Sequence, residues 1–197
     1  PNLGPLQQYY AAYSVAPETN PWMALLIITL TASIGWLYKN GLRSIGEEFG
    51  WRAYLLPKLM ERFCGGEPAP GSSLYTAAAR KASLVIGVIW GVWHFPLYIM
   101  GMSMDPTMTP GRLLAFLGLA VISTCTLSVL LCWVTLRSGS VWPASIGHGF
   151  INGTTAIPGM ALKGTADTLL GPGLPGLIGT LGYLLLALVL LLNSRAF

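Results

Sequence analysis

A chain of 197 residues that is 53% hydrophobic and only 9% charged, with mean hydropathy +0.62, lies far from the roughly 25% charged residues of a water-soluble domain. Its net charge of +4 needs no nucleic acid to explain it, because basic residues flank membrane spans and orient them; no nucleic-acid motif or phosphate-cradling glycine loop appears. Cysteine is uninformative: the count is odd, Cys125 and Cys132 fall in one apolar stretch as small hydrophobes, and no metal-ligand spacing links them to Cys64.

Five stretches carry no Asp, Glu, Lys or Arg: 19–38, 82–104, 113–136, 138–162 and 168–194. Each reaches the roughly 20 residues needed to cross a hydrocarbon core. We therefore expect an all-α fold, a polytopic transmembrane helix bundle of about five to six membrane helices, forming one integral-membrane domain over 1–197. No basic segment followed by a short apolar core opens the chain, so no signal peptide is expected. The chain begins at Pro1 rather than Met, which leads us to expect a processed or truncated chain with one or more spans ahead of it.

Residues 1–18, polar and aromatic with Pro5 and Pro17, read as a loop or interfacial arm. A first span is expected from about Trp22 to Tyr38, followed by a short connector from Lys39 to Arg43. The next segment, Ser44–Arg62, has helical periodicity but carries Glu47, Glu48, Arg52, Lys58 and Glu61. It is too polar to face lipid all round, and either crosses inside the bundle or lies at the interface. Because of that choice, the basic residues do not orient the chain. The run from Cys64 to Ser73 is a Gly/Pro/Ser loop. A span carrying His94 should end near Met104, before the turn-rich Asp105-Pro106 and Thr109-Pro110-Gly111. Residues 113–136 make a conventional lipid-facing helix, and Arg137-Ser138-Gly139-Ser140 a tight turn into the span carrying His148. A loop near Lys163–Thr168 precedes a Leu-rich final helix ending near Asn193.

Ionisable groups among membrane spans are expensive and are seldom kept without a use. Adjacent glutamates on a helix point about 100° apart, so Glu47 and Glu48 cannot both face one substrate. Arg52 lies one turn after Glu48 in the Glu-before-Arg order that favours an ion pair, which leaves Glu47 for a cavity. A glutamate in a low-dielectric bundle holds a proton more readily than in water, as suits a general base near neutral pH. His148 and Asn152 share a helix face and could donate to a developing oxyanion. Pro96 removes the hydrogen bond to the Val92 carbonyl and should bend the helix beside His94. The bland readings are a histidine bonded to a neighbouring helix, an interfacial ion network, and an Asn152 that only accompanies close packing at Gly149 and Gly153.

These residues resemble the CAAX prenyl protease and bacteriocin-processing (CPBP, or Abi) family of intramembrane proteases. Its E-E-x-x-x-R motif is met by Glu47, Glu48 and Arg52. Its aromatic four residues before a histidine is met by Trp90, where Phe is usual, and His94. Its H-x-x-x-N is met by His148 and Asn152. The resemblance covers a catalytic core at about 40–155. It implies an endopeptidase acting at or within the bilayer on a peptide or membrane-protein segment, prenylated in some members. By that likeness Glu47 activates water, His94 assists or orients it, and His148 and Asn152 stabilise the oxyanion. Glu48 and Arg52 hold the constellation, with Trp90 as an aromatic wall.

That mechanism requires no metal. Zinc on Glu47, His94 and His148 is the other option, since Glu with two His is a known catalytic set. Against it, no H-E-x-x-H is present, and Arg52 would compete for carboxylate charge. Two other functions compete: a non-catalytic membrane scaffold or immunity protein of the same fold, and a proton-coupled transporter. The transporter would be expected to show internal repeats, which are not seen.

Overall fold

The computed structural model describes residues 7, 9–67, 69–160, 162, 166–193 and 196–197, with backbone alone at 36–38, and among these every regular element is helical. Part of the expected N-terminal arm (1–6 and 8) and part of the expected loop (163–165) lie outside the described residues. Helix α1 (Pro21–Glu48) starts where local chemistry directs it. The Asn20 side chain accepts the Trp22 N–H at 2.9 Å, and Pro21 sits at the first helical position, where its missing N–H costs nothing.

The expected connector at Lys39–Arg43 is not a break, because it lies within α1. No Gly/Pro pair interrupts it, and its polar residues stay compatible with helix. The chain instead bends by 48° between 21–35 and 39–64. Beyond Glu48 the helix loosens into a π-helical segment (Phe49–Leu55), with the Leu56 N–H reaching the Trp51 carbonyl, and then continues as α2 (Leu56–Cys64). Gly65 closes α2 at φ 72°, a left-handed conformation that glycine adopts without strain.

Ser72 caps α3 (Ser73–Trp93) by accepting the Tyr75 N–H at 3.0 Å. The helix breaks at His94 and resumes as α4 (Phe95–Met102) at 40°, as Pro96 leads one to expect. Thr109 and Pro110 start α5 (Pro110–Ser138), and Gly139, at φ 65°, ends it. Helices α6 (Trp142–Thr154), α7 (Ile157–Met160) and α8 (Leu177–Leu192) complete the fold.

Two close contacts position the site. Helices α3 and α5 meet at Gly87 and Gly91: a Cβ on Gly91 would come within 2.6 Å of Thr124 Oγ1, and that hydroxyl donates to the Gly87 carbonyl at 2.9 Å. Helix α6 lies against α1, where Ser145 Oγ donates to the Gly41 carbonyl at 2.6 Å and Gly149 abuts the Asn40–Gly41 backbone. Small residues let backbones approach in this way. One end of the bundle is filled by Leu56 and Met60 of α2, Ile86 of α3, and Val129 and Cys132 of α5.

Among the described residues, α5 alone is long and apolar enough to cross a membrane, and the number rises to three if each bent pair (21–35 with 39–64, and α3 with α4) is one span. The charge-free stretches 138–162 and 168–194 do not become single long helices. They hold α6 of 13 residues and α8 of 16, because Pro158, Pro172, Pro175 and their neighbouring glycines interrupt the runs.

Candidate active site

Glu47 and Glu48 end α1 just before the π-helical segment, and they diverge as adjacent helical residues must. Insertions of this kind recur at functional sites, since they re-aim the side chains that follow. Glu48 points inward and is fully buried. Arg52 Nη1 donates to Glu48 Oε1 at 2.9 Å, with both side chains inaccessible to solvent. The pairing expected from the i, i+4 spacing is therefore present.

A third partner comes from far along the chain. His148 Nδ1 lies 2.9 Å from the same Glu48 oxygen, joining α6 to the end of α1. A carboxylate accepts only, so Nδ1 is the donor. The nitrogen left to meet a substrate is Nε2.

Glu47 points elsewhere. Its Oε2 accepts the Trp90 indole N–H at 2.8 Å. Trp90 is almost wholly buried, its ring under the Arg52 guanidinium at 4.7 Å and edge-on to His148 at 5.1 Å. Expected as a wall, it is also a hydrogen-bond donor to one glutamate and a cation–π platform for the partner of the other.

His94 sits at the α3–α4 break, its Nδ1 2.9 Å from the Trp90 carbonyl. A carbonyl accepts, so Nδ1 carries the proton and Nε2 is left as an acceptor. The imidazole stacks on Tyr98 at 5.5 Å and 20°, and Trp93 meets it edge-on at 4.9 Å. Tyr98 was missed from the sequence, although it lies one helical turn after His94 on the same face.

Glu47, Trp90, His94, His148 and Asn152 together line one cavity of about 200 Å³. Residues from five helices, α1, α3, α4, α5 and α6, thus line a pocket that holds a carboxylate, two imidazoles and a carboxamide. Thr155, Leu174 and Pro175, which also line it, went unforeseen. Their Gly/Pro-rich sequence marks a loop but not where the loop packs. Glu48 and Arg52 stay behind the pocket.

Among the described residues, no group of three or more His, Cys, Asp or Glu side chains is arranged to hold a metal ion. The trio Glu47, His94 and His148 shares a cavity, but each spends one polar atom on a protein partner: Trp90 N–H, Trp90 carbonyl and Glu48 respectively. These bonds leave the other Glu47 oxygen and both Nε2 atoms to the cavity, and bonds of the same kind also orient imidazoles that ligate a metal.

The sequence has counterparts among known proteins. The family model described as Rce1-like, type II CAAX prenyl endopeptidase, matches residues 19–154. The curated relative CAAX prenyl protease 2 of Methanococcus maripaludis is 25% identical over 146 residues, which is 74% of this chain and 43% of that protein. The chain therefore spans less than half of that relative's length. No solved structure matches significantly. The family match covers Glu47, Trp90, His94, His148 and Asn152, and the chain belongs to the Rce1-like family of type II CAAX prenyl endopeptidases.

Proposed function

We propose that the protein is a multi-pass intramembrane endopeptidase that hydrolyses a peptide bond in a membrane-associated substrate such as a prenylated protein. One observation carries this reading: Glu47 opens onto the cavity with His94, His148 and Asn152, whereas Glu48 is consumed by Arg52 and His148. We read residues 1–197 as a single integral-membrane domain of five to six membrane segments with a catalytic core at about 40–155. The charge-free stretches and the outward apolar side chains of the short α8, Leu181, Leu185 and Leu188 among them, support that count.

In the proposed reaction Glu47 accepts a proton from water as the water oxygen attacks the scissile carbonyl carbon. His94 Nε2, an acceptor in this tautomer, holds the second water proton and so aims the lone pair. The carbonyl oxygen becomes an oxyanion between Asn152 and His148. A ring whose Nδ1 already donates to Glu48 offers a second N–H at Nε2 only when protonated, and the buried Glu48 carboxylate is its counter-ion. Collapse of the tetrahedral intermediate breaks the C–N bond, and the proton on Glu47 passes to the leaving amine. Water has then been added across the bond, and no step calls for a metal.

Comparison of the two glutamates tests the reading. Glu47→Gln should lower kcat on a farnesylated peptide by roughly 100- to 10,000-fold with the melting temperature in detergent unchanged. Glu48→Gln should lower the melting temperature as well. Full activity in Glu47→Gln would remove the proposed base.

A further inference from the structure

The catalytic cavity is not isolated. A second cavity of about 430 Å³ lies between the loop 166–176 and Tyr98, Met102 and Phe116 of α4 and α5. A third, of about 320 Å³, lies between α1, α6 and α8, reached by Thr29, Ser33, Phe150 and Tyr183. Among the described residues, Thr155 and Leu174 alone line all three.

These two residues are bonded to each other. The Leu174 N–H donates to Thr155 Oγ1 at 2.7 Å, and Gly173 presses so closely that a Cβ there would stand 2.6 Å from the Thr155 carbonyl oxygen. The loop behind them is braced. Gly176 N–H donates to the Gly173 carbonyl and Leu177 N–H to the Leu169 carbonyl, each at 2.8 Å, and Arg112 ties Asp167 to α5 at 2.6 Å. The Leu174 side chain packs into the cluster of Trp90, Leu127 and Leu131, and Trp90 is the residue that holds Glu47. The family match ends at residue 154, one position before this partition begins.

We propose that Thr155 and Leu174 form a specificity wall that sets the size of the apolar side chain accepted beside the scissile bond, the flanking cavities receiving the substrate on either side of it. The inference rests on the protease reading. Its physical basis is steric: Thr155 and Leu174 line the catalytic cavity and both flanking ones, whereas Glu47 lines the catalytic cavity and neither flanking one. In the catalytic cavity Leu174 stands with Leu127, Ile151 and Pro175, an apolar part of the lining that suits an apolar side chain.

The test uses the full chain in detergent and four peptides, each with an S-farnesyl cysteine and differing only in the next residue: Ala, Val, Leu or Phe. In Leu174→Ala the kcat/KM ratio of the Phe to the Ala peptide should rise roughly tenfold or more, the scale of methylene-sized discrimination in an apolar pocket. Thr155→Val keeps the shape but loses the hydrogen bond to Leu174, and should move the ratio the same way by less. A ratio is indifferent to the fraction of protein folded. An unchanged ratio in Leu174→Ala overturns the wall. The same peptides are then bound to Glu47→Gln and to Glu47→Gln/Leu174→Ala. There a tenfold shift in relative Kd supports the wall, and an unchanged order, or no binding at all, overturns it. Absence of hydrolysis by the wild type would count against the protease reading, while the binding ratio would still decide the wall.

Discussion

Arg52 is the residue on which the buried charges depend. Its removal leaves Glu48 with only His148, in a place no water reaches directly. Arg52→Ala should destabilise the protein by roughly 3–5 kcal/mol, the usual effect of stranding one member of a buried pair, read as a lower melting temperature in detergent. An unmoved melting temperature would mean that Glu48 does not rely on it. His148 has a double role, as oxyanion donor in the proposed mechanism and as the second partner of Glu48. His148→Ala should therefore lose stability as well as activity, a coupling that the sequence, showing only the His148–Asn152 spacing, did not reveal.

Trp90→Phe separates the two duties of Trp90: the ring above which Arg52 sits is kept, and the N–H that Glu47 accepts is lost. A hydrogen bond to a charged group contributes about 1.5–3 kcal/mol to stability, so Trp90→Phe should lower the melting temperature in detergent, and kcat should fall with it as Glu47 loses the donor that positions it. Which glutamate faces the cavity was legible because helix geometry separates adjacent side chains and pairs those four apart. The contacts Glu48–His148 and Trp90–Glu47 span 100 and 43 residues, and no local rule reaches that far.

Among the elements, the α3–α5 contact fixes where His94 lies. Gly91→Ala would set a methyl group 2.6 Å from Thr124 Oγ1 and 3.0 Å from Val121 Cα, so α3 would have to move away from α5. His94, three residues on, would move with it. Overpacking of this kind costs roughly 1–3 kcal/mol, and we expect both a lower melting temperature and reduced kcat in Gly91→Ala, with Gly118→Ala, which meets open space, as the unaffected control. The helix starts and stops were largely written in local chemistry: Asn20-Pro21, Ser72, Thr109-Pro110, Gly65 and Gly139 mark them. The continuity of α1 through Lys39–Arg43 was not, since polar residues suggest a loop only where nothing else keeps the helix going. Here the packing of Gly41 and Ser44 under α6 maintains it.

For the whole molecule, composition indicated a membrane protein, but it could not divide the apolar stretches into helices. Glycine and proline runs at 155–160 and 166–176 line the cavities rather than serving as a simple connector. That lining is anchored outside the helices by Asp167, whose carboxyl is held down at about 2 by the Arg112 hydrogen bond, with help from the Leu170 and Leu169 N–H groups. A lowered carboxyl stabilises above its ordinary value of 3.8 and loses that contribution only as pH falls towards 2. The anchor should therefore be constant from pH 5 to 8. Arg112→Ala should move the Asp167 titration midpoint upward, as followed by NMR of the carboxyl carbon. Because the proposed mechanism uses Glu47 and no metal, prolonged chelation should leave cleavage of a farnesylated peptide intact, and a loss restored by added zinc would contradict it.

The most direct test of the central claim compares new peptide termini by mass spectrometry in membranes of cells making either the wild-type chain or Glu47→Gln at equal levels. The account predicts termini that appear with the wild type and vanish with the variant. Indistinguishable profiles would contradict it and would point to a protein that keeps the fold of a protease without the reaction.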